Sequence, residues 1–346
     1  MWPRPVMKMS ETKTSLVIVT THFGTNFSGG STATCEIFSR VQYEFESIYV
    51  VGTELGEHPF QKIIFKKYSN WVQAFLLLLA FRKGRFGNER FVFYGDFYNT
   101  FFLALLRLDF YFTYHDNWPE AAKINLKSKI NSIFYTNVYH FIFKNAKLVF
   151  AVSEKKYHYV KKFTSKVQLV YNGFNHQRES NTKAGDPDRP EILMVGNIDK
   201  RKYKIALKLF SLIAAKGNLH VDIYGHIIDK NLADKLAAFD FVTLKGFKQN
   251  IPFGRYQLLL HTSIIENLPL VFCESIYHQT PIITFDVGGA HELIGNANGA
   301  LIPPYDVNMM HTNLLKMIKI RPTIDKSVLD NKSWEIAANR YKESIL

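Results

Sequence analysis

Short runs of β-branched and aromatic residues recur along the first half of the chain, SLVIVTT, SIYVVGT, RFVFYGD, FYFTYHD, KLVFAVS and VQLVYNG, and each closes on a polar residue or a glycine. After the polar stretch ESNTKAGDPDRP the pattern restarts with EILMVGN, LHVDIYG, FVTLKG, LLLHTS and PIITFD. A strand that is apolar at almost every position needs cover on both faces, and a parallel sheet wrapped by helices supplies it. Longer helical segments separate the runs, as parallel crossovers require. The pattern predicts two doubly wound α/β domains in tandem, residues 1–178 and 191–325. A Pro- and Gly-containing hinge is expected over 179–190, and a closing helix, 326–346, is expected to pack back on the first domain. A length of 346 residues suits two cores better than one. In such sheets ligands sit beyond the carboxyl ends of the strands, so those loops are the place to search for chemistry.

Composition narrows the class. Hydrophobic residues make up 47% and charged residues 21%, a globular balance. The longest apolar run, Ala74 to Phe81, is flanked by Gln73 and Arg82 and is too short to cross a bilayer. The opening MWPRPVMKMSETKTS lacks the apolar centre of a secretory signal, and only Cys35 and Cys273 are present. Both features predict a cytoplasmic protein. The net charge of +13 is uneven: residues 1–180 carry 23 basic against 13 acidic side chains. Ten lysines lie between Lys123 and Lys166, interleaved with Phe, Tyr and Ile. They read either as a solvated helical face or as a surface that meets anionic lipid. Nucleic acid is the weakest of the three readings, because no nucleic-acid motif accompanies the charge.

Four stretches carry candidate chemistry. The first strand leads into THFGTNFSGG, where Gly29 and Gly30 precede an expected helix. Without a G-x-G-x-x-G pattern a dinucleotide site is not supported, and the pair reads as an ordinary loop or as backbone that a phosphate approaches. YFTYHDNWPE places His115 and Asp116 where a strand meets a loop. ILMVGNIDKRKYK puts Lys200, Arg201, Lys202 and Lys204 beside a helix N-terminus, where cations oppose the helix dipole unless an anion is bound. SIIENLPLVFCES sets Glu266 and Glu274 at the two ends of an apolar run, and a buried carboxylate must be paired or hydrogen-bonded. Pro269 suits the start of a helix from Leu270, which leaves Glu266 in the loop and Glu274 one turn inside. Free N–H groups near Leu268 and Leu270 would take a pyrophosphate, so a hydroxyl-rich, diphosphate-containing molecule such as a nucleotide sugar fits both acids.

SIIENLPLVFCESIYHQTPIITFDVGGAHELI resembles the signature of the retaining GT-B glycosyltransferases of family four. In that signature two glutamates, with seven residues between them, precede a Pro-led strand and a Gly-Gly-x-x-Glu turn. The likeness extends in order through YHDNWPE, VYNGFN, VGNIDKRK, VTLKGF and KSWEIAANRYKESIL. It implies the GT-B architecture, two Rossmann-like domains facing across a cleft. It also implies that Glu266 holds donor-sugar hydroxyls, Glu274 the ribose hydroxyls, and Lys202 the leaving diphosphate. His115 would face the donor sugar, while Gly29 and Gly30 would approach the diphosphate from the first domain. Gly196, Asn197, Arg201, Asn267, Leu268, Pro269 and Leu270 complete the implied donor site. Asn197 stands where the family usually has an arginine, with Arg201 and Lys200 as candidate replacements, and Gln279 stands where a glycine is common.

The function this resemblance implies is metal-independent transfer of a sugar, with anomeric retention and without a cofactor, from a nucleotide-sugar donor to a lipid-linked glycan. Bacterial surface-polysaccharide assembly is the implied setting. The basic first half would lie on the inner face of the membrane. Two rivals are a sugar-nucleotide epimerase of the same fold and a non-catalytic membrane-docking subunit. An epimerase needs further acid–base groups around the sugar, and a binding subunit would be expected to lose Glu266 or Lys202.

Overall fold

The computed structural model describes residues 14–87, 89–174, 190–214, 219–295, 297–320 and 322–346. The first half builds strands β1 (Thr14–Val19), β2 (His22–Phe23), β3 (Ile48–Gly52), β4 (Glu54–Leu55), β5 (Ile64–Lys67), β6 (Arg90–Gly95), β7 (Phe110–Tyr114), β8 (Leu148–Ala151) and β9 (Val167–Leu169). The second half builds β10 (Glu191–Val195), β11 (His220–Tyr224), β12 (Val242–Gly246), β13 (Leu258–His261), β14 (Ile282–Phe285) and β15 (Gly299–Ile302). Two parallel sheets result, in the orders β5-β3-β1-β6-β7-β8-β9 and β12-β11-β10-β13-β14-β15. The strands β2 and β4 pair separately. The expected hinge lies outside the described residues except at Pro190.

Each sheet is buried on both faces, which is why its strands read as continuous apolar runs. In β1, Leu16 and Ile18 enter one core with Phe38 and Tyr94, while Val17 and Val19 enter the opposite core with Leu78 and Phe112. In β10, Ile192 and Met194 face one core while Leu193 faces another with Phe272 and Ile276. Alternation along the strand therefore sorts residues between two apolar layers rather than between protein and water.

The helix Trp334–Ile345 returns to the first sheet. Its buried Trp334, Ala337, Ala338, Tyr341 and Ile345 recur at helical spacing and join the core that holds Leu16 and Phe38. Tyr341 stacks on Phe150 at 3.9 Å between ring centroids, and its hydroxyl lies 2.7 Å from Thr113 Oγ1. Gly173 lies beneath the start of this helix: a Cβ there would come within 2.1 Å of the Trp334 nitrogen.

In both sheets the first strand sits inside and the strand order reverses beside it, so a crevice opens at the carboxyl ends of β1 and β10. The two crevices face each other. Asn267 Nδ2 donates to the His115 carbonyl, and the Glu292 carboxylate accepts from the Glu154 backbone N–H at 3.0 Å. Leu270 packs against the first-domain core.

Candidate active site

The second sheet supplies most of the site. The helix Lys200–Ala214 follows β10, and Asp199 caps it by accepting the Lys202 N–H at 3.0 Å. That cap supplies the negative charge which four adjacent cations otherwise lack. The four then separate in role. Lys204 is exposed and Lys200 points outward, 3.8 Å from Asp229. Arg201 and Lys202 turn inward toward the loop after β13.

That loop carries Glu266, whose Oε1 is approached by three groups. Arg201 Nη1 donates to it at 3.0 Å, Lys202 Nζ lies at 3.6 Å, and His261 Nε2 lies at 3.4 Å. Burial opposes ionisation of Glu266, but Lys202, Arg201 and His261 together hold its carboxyl well below the usual carboxylate range. Arg201 also donates to the Ile265 carbonyl at 2.8 Å, so the same guanidinium fixes the loop backbone. Of the two candidate replacements for a cation at Asn197, only Arg201 enters the site, and it is engaged with Glu266.

Glycines set the close approaches. Gly196 has φ +140°, and a Cβ there would lie 2.7 Å from Lys202 Nζ, so the lysine lies across bare backbone beside Asn197. Gly288, in the turn after β14, has φ +61°, and a Cβ would collide with the Glu266 and Asn267 carbonyls at 2.2 and 2.3 Å. The VGGAHE turn thus braces the loop that presents Glu266.

The helix Leu270–Tyr277 starts after Pro269, with no side-chain cap and no acid in its first turn. Leu268 and Pro269 are buried, so at this terminus backbone rather than side chain is on offer. Glu274 lies one turn in and is partly buried. Among the described residues its side chain has no hydrogen bond or ion pair, and burial pushes its carboxyl up to about 7. The two acids of the SIIENLPLVFCES stretch are therefore unlike: Glu266 is neutralised by the protein, and Glu274 is left without a partner.

The first domain contributes from across the crevice. Gly29 and Gly30 form the first turn of the helix Gly29–Arg40 rather than preceding it, with Ser28 as the cap. Gly29 faces open space, and a Cβ on Gly30 would lie 3.0 Å from the His115 Cβ. His115 is buried, its Nε2 has no hydrogen-bond partner among the described residues, and burial pushes its imidazole down to about 4. It is neutral at pH 7. Asp116 accepts the Tyr139 hydroxyl at 2.5 Å.

Two residues of this arrangement, His261 and Asp96, escape sequence reasoning, and a third, Glu292, is visible there only as the acid of the Gly-Gly-x-x-Glu turn, without its partner. His261 ends an apolar run that otherwise reads as pure core, and its Nδ1 lies 3.2 Å from Thr284 Oγ1. Glu292 reaches across to the start of the helix Glu154–Lys161, a contact between segments remote in the chain. Asp96 is fully buried at the end of β6, accepts from Thr34 at 2.7 Å, and is pushed up to about 7 by burial. One expectation is corrected: Lys156 is 2% exposed, pairs with Glu120 at 3.2 Å and lies 4.7 Å over the Tyr114 ring, so it is no part of a charged surface.

Solved structures superpose over nearly the whole chain. WaaG, a glycosyltransferase involved in lipopolysaccharide biosynthesis, gives a TM-score of 0.68 at 16% identity, covering 95% of each chain. HepE of Anabaena in complex with UDP-glucose gives 0.68 at 16% identity, covering 95% of this chain and 98% of that one. The sucrose-phosphate synthase of Thermosynechococcus elongatus gives 0.73 at 15% identity, covering 96% and 98%.

The fold is GT-B.

Within this GT-B fold the sequence model of the family described as glycosyl transferases group 1 matches residues 175–332, the stretch that carries Arg201, Lys202, Glu266 and Glu274. No curated protein sequence matches the chain. Fold and family match together support glycosyl transfer.

Proposed function

We propose that the chain moves a sugar from a nucleotide-sugar donor to a lipid-linked glycan with retention of anomeric configuration, in the manner of family four, during cell-surface polysaccharide synthesis. The observation that carries this reading is the unlike pair of acids on one loop and helix. An ionised Glu266 is oriented by Arg201 and His261, and an unpartnered Glu274 stands inside an uncapped helix N-terminus. The donor's ribose diol gives Glu274 the hydrogen-bond donors it lacks, and its diphosphate lies between Lys202 and the free N–H groups at Leu270. The sugar hydroxyls meet Glu266, with neutral His115 and Gly29–Gly30 on the opposite wall. HepE binds UDP and UDP-glucose on the same fold, which favours a nucleotide-sugar donor here.

In this reaction the bond between the anomeric carbon and the diphosphate oxygen breaks, and the leaving diphosphate takes the electron pair. The acceptor oxygen bonds to the same face of the sugar and passes its proton to the leaving phosphate. Lys202 and the helix N-terminus stabilise the charge that develops on the diphosphate, the task a divalent cation performs in metal-dependent transferases, so the proposed mechanism needs no metal. Glu266, held by two cations, serves as a positioning anion rather than as a nucleophile. WaaG acts in lipopolysaccharide biosynthesis, which favours a lipid-linked acceptor and peripheral work at the inner membrane face. A thermal-shift panel of UDP, GDP, dTDP and CMP tests the donor site. A nucleotide at a hundredfold over its Kd should stabilise the protein by about 2.7 kcal/mol. No shift with any of the four contradicts the reading.

A further inference from the structure

The first domain holds a second, separate cavity of about 840 Å³ between the helices Trp71–Arg82 and Leu126–Asn145, a volume within the range of sites that take small-molecule ligands. Its walls are Trp71, Phe101, Phe102, Ile133, Phe134 and Phe141. Its polar lining includes Thr21, Thr53 and Asn99, which follow the carboxyl ends of β1, β3 and β6. The cavity therefore shares its edge of the sheet with Gly29–Gly30 and His115, which follow β1 and β7. Asn99, one of the lining residues, is 5% exposed and donates to Tyr68, while its buried Oδ1 has no hydrogen-bond partner among the described residues.

Around the mouth the surface is unusually apolar. Trp71, Val72 and Leu76 on one helix and Leu126, Ile130, Ile133 and Phe134 on the other are each half or more exposed. Monomeric soluble proteins seldom expose such a patch without using it. On the second helix, residues 126, 130, 133, 134, 137 and 141 fall on one stripe by their spacing of three and four, and Lys127 and Lys144 stand at its ends. A second copy of this chain suits the patch poorly, because each copy brings the ten excess positive charges of its first half to the interface.

We propose that this cavity takes the hydrocarbon chain of the acceptor lipid, with Lys127 and Lys144 beside the membrane and the phosphate-linked head directed along the sheet edge toward His115. The proposal rests on the glycosyl-transfer reading and adds to it the site where the acceptor is held. The chain is recognised by burial of its methylene groups, and Lys127 and Lys144 meet the anionic membrane surface from which it comes.

The probe is 12-bromododecyl phosphate, used below its micelle concentration with the full-length protein, and bromine quenching of tryptophan fluorescence reports contact. The expected result is saturable quenching that disappears in Trp71→Phe, is not displaced by equimolar inorganic phosphate, and weakens at least tenfold in Ile130→Asp/Ile133→Asp. Both isoleucines are largely exposed, so circular dichroism and the nucleotide thermal shift should be unchanged in that variant. Equal affinity in the double variant, or displacement by inorganic phosphate, overturns the site. So does a dimer in sedimentation velocity that the double variant dissolves. A nucleotide shift without chain binding sinks this proposal alone. Chain binding without any nucleotide shift leaves the site standing and sinks the glycosyl-transfer reading.

Discussion

Glu266 and Glu274 share one short stretch yet sit in opposite electrostatic states, and that contrast makes them separable by mutation. Glu274 is held near 7 by burial alone, above the ordinary carboxyl value of 4.5. Between those two pH values the folded protein keeps a proton that the unfolded chain releases, so stability falls as pH rises through that window. Glu274→Gln removes the effect. The apo variant should be more stable than wild type at pH 8, on the order of 2 kcal/mol by chemical denaturation, while its nucleotide affinity falls. Equal stability at pH 8 together with unchanged affinity would place Glu274 outside the donor site. Lys202 poses the reverse case. It is partly buried over Gly196 and faces Glu266, so Lys202→Ala should cost about 3 kcal/mol in the transition state, roughly a hundredfold in turnover, with little change in Tm. Turnover within a few-fold of wild type would make it a structural lysine. Sequence showed both acids and the cationic loop plainly, because charge inside apolar runs is conspicuous. It did not show that Arg201 is engaged with Glu266 and the Ile265 carbonyl, since that depends on how two loops meet in space.

At the scale of elements, the runs that read as strands are those with apolar residues on both faces, and β1, β3, β6, β7, β8 and β10 are of this kind. Two strands of the main sheets escaped, besides the two-residue β2 and β4. β5 (Ile64–Lys67) is an edge strand with lysines at its end, and β15 (Gly299–Ile302) is short and opens on Gly299, where a Cβ would come within 1.8 Å of the Ile282 carbonyl. Neither has the two-sided burial that made the others visible. The end of the helix Leu270–Tyr277 offers a test of local chemistry. Gln279 N–H bonds the Ile276 carbonyl at 3.0 Å and Thr280 N–H the Ser275 carbonyl at 2.8 Å, the Schellman pattern, with Gln279 at φ +59° where glycine is favoured. The left-handed conformation costs a side-chain-bearing residue about 1–2 kcal/mol, and glycine's greater unfolded freedom returns about 0.5–1. The backbone alone therefore favours Gln279→Gly by about 0.5 kcal/mol, and urea denaturation of the variant weighs this against the contacts of the Gln279 side chain. A clear destabilisation would show that the Gln279 side chain contributes more than its backbone costs.

In the whole molecule the two crevices are held face to face by Asn267 on His115, Glu292 on Glu154 and Leu270 on the first core, while the last helix ties the end of the chain to the first sheet. The doubly wound architecture was legible because it repeats along the chain; the clasp was not, because each of its contacts joins residues far apart in sequence. The facing crevices are what a transferase needs: one wall for a donor, the other for an acceptor, and little room for water between them once both are bound. The most direct test incubates the protein with radiolabelled nucleotide sugars and a bacterial membrane extract, with Lys202→Ala in parallel. Label should pass into the organic-soluble lipid fraction with wild type, and about a hundredfold more slowly with the variant. Label that returns as an isomerised free nucleotide sugar, or that stays unchanged in its donor for every sugar tried, would contradict glycosyl transfer to lipid.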